Sequence, residues 1–242
     1  MTTYRLHIAA NADDLARQTA EQLASTIDLA LAERDRAQIA LAGGTTPRAA
    51  YLRLGSEHLP WDRVDVLLGD ERWVPQDDPA SNAKLLRDSL LADGPGHQAR
   101  FHPVPTDRAT PEETALAYAD LFVQLCGGEP PTLDVALLGL GEDGHTASLF
   151  PGTAALQVRD RWVTTGEGKG LPRISLTAPA LSAARTVIFL VSGAGKRQAL
   201  ERLLDPLESP ERTPARLVSP RSTVLILADA AAASGLPEHI NA

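Results

Sequence analysis

The chain has 242 residues, 43% of them hydrophobic and 22% charged, with a formal net charge of −8. That balance is ordinary for a globular protein with one sizeable core, and acidity without a basic block argues against nucleic acid as a partner. No apolar run approaches the roughly 20 residues of a bilayer span, MTTYRLHIAANADD turns polar too early for a secretory signal, and the lone Cys126 precludes an internal disulfide, so a cytoplasmic protein is expected.

The opening YRLHIAA reads as a strand. From Asp13 to about Asp35 the apolar residues Leu15, Leu23, Ile27 and Leu31 recur at helical spacing. QIALAGG is a strand stopped by glycines, with Thr46 and Pro47 expected as cap and first residue of the helix through PRAAYLRL. RVDVLLGDERW supplies a third strand ending at Gly69. After the loop VPQDDPAS, a helix is expected over NAKLLRDSLLAD, then a short strand near ARFHPV. Thr110-Pro111-Glu112-Glu113 is a capping box heading a helix to Cys126, a small hydrophobe at the helix end. LDVALLGLG, RWVTT, RISLT, TVIFLVSG and TVLILAD are further strands, with the helix GKRQALERLLD between the last two. Strands alternating with helices, and apolar on both faces, predict an α/β fold with a mostly parallel sheet covered on both sides. No linker or repeat divides the chain, so residues 1–242 are expected to form a single domain. A small antiparallel excursion is expected near LPRISLTAP.

Open α/β sheets bind ligands beyond the carboxyl ends of their strands. Four such ends stand out: LAGGTTP, LLGDER, LLGLGEDGH and VSGAGKR. Each combines glycine with a hydroxyl, acid, imidazole or cation, as a pocket for a small anion would require. Lysine occurs only at 84, 169 and 196, and the last two lie in the glycine-rich segments TGEGKG and SGAGK. Either coding bias placed them there, or a compact ammonium charge was needed.

Gly139, Gly141 and Gly144 form a literal G-x-G-x-x-G after an apolar run. A dinucleotide turn, however, needs a helix opening at the third glycine, facing a pyrophosphate. Here Asp143 and His145 flank that glycine and Pro151 soon follows. SGAGKR lacks the first glycine and the Ser/Thr of an ATP phosphate loop. Asp143 and His145 suit general-base work, with the carboxylate orienting the imidazole and raising its basicity; the alternative is a loop histidine satisfied by local backbone. Ser148 lies in no G-x-S-x-G elbow, which argues against a serine triad. The scattered histidines give no metal-ligand cluster.

At these residues the chain resembles the glucosamine-6-phosphate isomerase/6-phosphogluconolactonase family, on its lactonase branch. The likeness runs along LAGGTTPRAAY, LLGDERWVPQDDPASNAKLL, LLGLGEDGHTASLFPG, RISLTAPAL and SGAGKRQAL, in order. It implies a Rossmann-like fold and hydrolysis of a phosphorylated sugar lactone in the pentose phosphate pathway, without an organic cofactor. It also implies that His145 is the base, Asp143 its neighbouring acid and Arg72 a further catalytic group. Gly44, Thr45, Thr46, Lys169, Arg173 and Lys196 would take the phosphate, with Asp70 and Gly144 completing the substrate-binding set. The chain has KGLPR where the family usually has a proline-rich stretch, which leaves the role of Lys169 open; TVLILAD lacks a tryptophan often found there. The deaminase branch is the alternative, but it carries glutamate and tyrosine where this chain has Phe150 and Arg72. A non-catalytic sugar-phosphate sensor is a third reading; such proteins place a helix-turn-helix before this domain, whereas this chain opens on a strand. Either a monomer or a weak homo-oligomer is expected.

Overall fold

Strand β1 (Tyr4–Ala9) leads into α1 (Ala12–Glu33), where Asn11 accepts a hydrogen bond from the Asp14 N–H and satisfies one of the free donors of the first turn. This computed structural model describes residues 2–236; Met1 and residues 237–242, part of the expected single domain, lie outside the described residues. The stripe Leu15, Leu23, Ile27 and Leu31 is buried, as its spacing predicts. Then follow β2 (Ala37–Leu41), α2 (Thr45–Leu54), β3 (Val64–Leu68), β4 (Asp70–Arg72), α3 (Asn82–Arg87), β5 (Arg100–Phe101), α4 (Pro111–Cys126) and β6 (Val135–Gly139). The chain continues through β7 (Val163–Gly168), β8 (Leu171–Leu176), α5 (Ala178–Ser182), β9 (Thr186–Val191), α6 (Arg197–Leu204) and β10 (Val224–Asp229).

Seven strands form one parallel sheet in the order β1-β10-β9-β6-β2-β3-β5. β4, β8 and β7 form a separate antiparallel sheet, the excursion expected near LPRISLTAP. Gly69 is the crossing point. Its N–H donates to Leu41 O in the large sheet, while its carbonyl accepts from Leu176 N–H in the small one. One residue earlier, the buried Tyr118 hydroxyl accepts from Leu68 N–H and donates to Leu68 O, closing the ladder that β3 leaves there. The stretch RVDVLLGDERW is therefore two strands in two sheets, not one.

Three further expectations are corrected. Helix α2 begins at Thr45 with Gly44 as its cap, at φ +103°, because only glycine turns the chain so sharply out of β2. The helix expected over NAKLLRDSLLAD stops at Arg87, and the rest is turns. A short 3-10 turn, Ala194–Lys196, precedes α6. Of the capping box expected at Thr110, the N-cap half forms, the Thr110 side chain accepting from Glu113 N–H; no return bond to the Glu113 carboxylate is seen among the described residues. Cys126 ends α4 half-buried.

Candidate active site

Within the large sheet, β2 is followed in sequence by its neighbour β3, whereas β6 is followed by its neighbour β9 on the other side. The direction of winding thus reverses between β2 and β6, the place where an open α/β sheet leaves a crevice. A cavity of about 310 Å³ opens there, walled by the ends of β2, β3, β6 and β9, the four ends singled out in the sequence.

The loop after β6 is built around His145. Thr146 Oγ1 donates to Gly139 O, Gly141 N–H to His145 O, and Gly144 N–H to Gly141 O. No helix occurs between residues 140 and 153, so a dinucleotide turn is ruled out on geometry. The glycines have other reasons. A Cβ at Gly141 would collide with the His145 ring, and one at Gly144 (φ +88°) would lie 2.9 Å from Thr213 Cα. Asp143 Oδ1 accepts from His145 N–H at 3.1 Å and lies 2.5 Å from Nδ1. With Nδ1–H assigned to the carboxylate, Nε2 carries the lone pair. Burial holds the imidazole below the ordinary histidine value and Lys169 adds to this, while Asp143 and Asp70 pull the other way. The expectation that Asp143 raises the basicity is thus met only as the smaller effect, because desolvation of the imidazolium outweighs it. Asp143, though also partly buried, is held below the usual carboxylate range by its bonds from His145.

Arg72, Lys169, Arg173 and Lys196 all line the cavity. Among the described residues none of the four makes a salt bridge. Arg72 and Arg173 stand directly opposite each other across β4 and β8, a like-charge pairing that disfavours the sheet unless an anion joins them. Their polar contacts are backbone carbonyls: Arg72 donates to Ala80 O, and Arg173 Nε and Nη2 to Gly168 O. Burial, then the charge of Arg72, lowers the Arg173 pKa. Lys169 and Gly170 form the two-residue turn of the β7–β8 hairpin with φ +54° and +78°. The first position is strained for a residue with a Cβ, and it brings Lys169 to the cavity despite the altered KGLPR segment. Asp229, at the end of β10, accepts from Ser192 Oγ and Gly193 N–H and so fixes the turn that carries Lys196. Gly44, Thr45 and Thr46 bring the start of α2 to the same space, with no side chain capping its first N–H groups.

Gly44, Thr45, Thr46, Asp70, Arg72, His145, Lys169, Arg173 and Lys196 thus share one cavity. Asp143 lies behind His145, outside the lining. Gly144, expected to touch substrate, is a correction. It is buried against Thr213, and its N–H and carbonyl are used by Gly141 and Ala215. Three residues to which no role had been assigned are placed here. Asn82 is 2% exposed, lines the cavity and donates to Asp70 O. Ser148 is buried and donates to Asp70 Oδ2 at 2.5 Å, so its hydroxyl serves that carboxylate and not His145. Phe150 packs beside the His145 ring. Among the described residues, no three His, Cys, Asp or Glu side chains converge as metal ligands, and no helix is long and apolar enough to cross a membrane.

Residues 10–227 match the family described as glucosamine-6-phosphate isomerases/6-phosphogluconolactonase. The chain belongs to that family. A 6-phosphogluconolactonase of Synechocystis sp. is 43% identical over 87% of this chain and 89% of its own length. One from Nostoc sp. is 41% identical over 92% and 94%. Among solved structures, the 6-phosphogluconolactonase of Trypanosoma brucei superposes with a TM-score of 0.87 at 29% identity, covering 98% of this chain and 100% of that one. The α/β fold of the family, a seven-stranded parallel sheet with a small antiparallel one, is the fold of this chain.

Proposed function

We propose that this chain is a 6-phosphogluconolactonase that hydrolyses 6-phospho-D-glucono-1,5-lactone to 6-phospho-D-gluconate, the second step of the oxidative pentose phosphate pathway. The observation that carries the reading is a carboxylate-oriented imidazole opening onto a cavity with four cations that have no carboxylate partner among the described residues. The family relationship supports the lactone as substrate.

A lactone is an activated ester, so catalysis needs a base for water, donors for the oxyanion and an anchor for the phosphate. In this reading His145 Nε2 takes a proton from water as its oxygen attacks the lactone carbonyl carbon. Arg72 and loop N–H groups stabilise the oxyanion, where one donor is worth roughly 2.7–4 kcal/mol of barrier. The tetrahedral intermediate then breaks its bond to the ring oxygen, which takes the proton back from the imidazolium. Asp143 holds the ring and its tautomer throughout. Lys196 and Arg173 bind the phosphate together with the Gly44-Thr45-Thr46 turn, and Lys169 reaches it from the hairpin tip. Asp70, held by Ser148, faces the sugar. No organic cofactor takes part.

We also propose that residues 1–242 act as one lactonase domain in the cytoplasm, as a monomer or weak homo-oligomer. One continuous hydrophobic core across the described residues and a single, half-buried cysteine support this. The decisive experiment is a pH-stat assay on freshly made phosphorylated lactone, beside an ammonia assay on glucosamine 6-phosphate. Acid release from the lactone alone is expected; ammonia release at a comparable rate would place the chain on the deaminase branch.

A further inference from the structure

Phe150 is half-buried in the cavity wall, with its ring centroid 4.3 Å from that of His145 at an interplanar angle of 31°. The Arg173 guanidinium carbon also lies 5.9 Å from the ring centroid, within cation–π reach. The ring rests on the backbone of Gly168, where a Cβ would collide with its edge carbons. Gly168 in turn takes two hydrogen bonds from Arg173 through its carbonyl. One aromatic side chain therefore touches the imidazole, the buried arginine and the strand end that holds that arginine.

We propose that Phe150 is a positioning residue that fixes the His145 imidazole and couples it to the anion-binding edge formed by Arg173 and Gly168. Three neighbours bound the imidazole: Asp143 through Nδ1, the Gly141 backbone beside Nδ1 and Cε1, and Phe150 against the ring. Asp143 fixes the tautomer, but a single hydrogen bond leaves the ring free to rock about it. Phe150 removes that freedom and shields the ring from water. The charged groups acting on His145 are Asp143 from its own loop, Lys169 from the β7–β8 turn and Asp70 from β4, and Arg173 lies near the Phe150 ring. The aromatic ring adds no charge to this set; its contribution is exclusion of water, which disfavours imidazolium. The inference rests on His145 being the base, but its first test does not depend on turnover.

The experiment titrates His145 by imidazole NMR and measures kcat and KM in wild type, Phe150→Tyr, Phe150→Ala, Gly168→Ala and Gly168→Ala/Phe150→Leu. Phe150→Ala is expected to raise the His145 pKa and to lower kcat at least tenfold, because misplacement near 1 Å costs up to about 10²-fold. Phe150→Tyr keeps the ring and should stay close to wild type. Gly168→Ala leaves the aromatic in the chain but displaces it, since Gly168 is not among the positive-φ glycines and the three atoms nearest an added Cβ all belong to the ring. It should reproduce the Phe150→Ala loss, and the double variant with the shorter leucine should recover part of it. An unchanged His145 titration and a kcat within twofold of wild type in both Phe150→Ala and Gly168→Ala, with thermal melts showing folded protein, would overturn the proposal. A wild type inactive on the lactone would instead count against the lactonase reading, and the titration would still decide the role of Phe150.

Discussion

Asp143 Oδ1 lies 2.5 Å from His145 Nδ1 and also accepts the His145 backbone N–H, so one carboxylate oxygen fixes both the ring and the loop that carries it. Because burial outweighs this contact, the imidazole titrates below its ordinary value and is neutral, hence basic, at neutral pH. A base with a depressed folded pKa favours the fold fully above its unfolded value, about 6.5, and that contribution shrinks as acid protonates the unfolded chain first.

Asp143→Asn removes the group that raises the His145 pKa and leaves burial and Lys169 to lower it. The acidic limb of the kcat/KM profile should therefore move to lower pH, while kcat falls less than in a variant lacking the imidazole. A rate profile from pH 4 to 8, corrected for spontaneous hydrolysis, checks this. A limb shifted upward would contradict it.

Lys196 lies on the cavity far along the wall from the lactone carbonyl in the proposed binding mode, so its contact should be equal in ground and transition states. Lys196→Ala should raise KM for the phosphorylated lactone about tenfold or more and leave kcat close to wild type. Unphosphorylated gluconolactone should be affected much less. Steady-state kinetics on both lactones reads the difference, and equal shifts would take Lys196 off the phosphate.

Ser148 donates its hydroxyl to Asp70 and is 1% exposed. Ser148→Ala should lower kcat by about tenfold, the scale of one hydrogen bond to a charged group. Hydroxylamine should trap no acyl-enzyme from wild type. Loss of all activity, together with a trapped adduct on Ser148, would mean a covalent route.

Glu71 is 1% exposed and takes bonds from the N–H groups of Arg72, Asn82 and Ala83 and from the Ser81 hydroxyl, two to each oxygen. Burial nevertheless holds its pKa above the ordinary carboxylate value. Glu71→Gln places an amide NH₂ against two donors, at about 1–3 kcal/mol for each left unpaired. The thermal midpoint should drop while KM for the phosphorylated lactone rises, because the same bonds hold Arg72. A melt identical to wild type would contradict this. With the carboxylate retained, its raised pKa favours the fold below the unfolded value of about 4.3 and that contribution is lost as pH rises through the folded value.

The strands were legible because VALL and VIFLV are continuous apolar runs, which a sheet covered on both faces accommodates. The site was legible through its glycines and charges: LAGGTT, GDER, GEDGH and SGAGK mark four neighbouring strand ends. Three-dimensional relations were not. Gly69 marks the end of β3, but nothing in GDERW says that the next three residues join a second sheet, since that depends on β8 arriving from a distant part of the chain. The start of α2 was misplaced because proline's preference for the first helical position was read at Pro47, while the chain turned at Gly44. Gly144 enters the ligand contacts through the family resemblance alone; its positive φ serves a close approach to Thr213 instead. Asn82 and Ser148 lie in segments that carry the resemblance, but nothing in those segments says that either acts on Asp70, because both contacts exist only in the folded chain.

The most direct measurement is kcat of His145→Asn on the phosphorylated lactone, with the uncatalysed rate subtracted. The substitution keeps a polar side chain that cannot accept the proton from water. General-base catalysis contributes about 10²–10⁴-fold, so kcat should fall by that factor with KM nearly unchanged. A His145→Asn enzyme that keeps wild-type kcat and loses only affinity would show that another group activates the water.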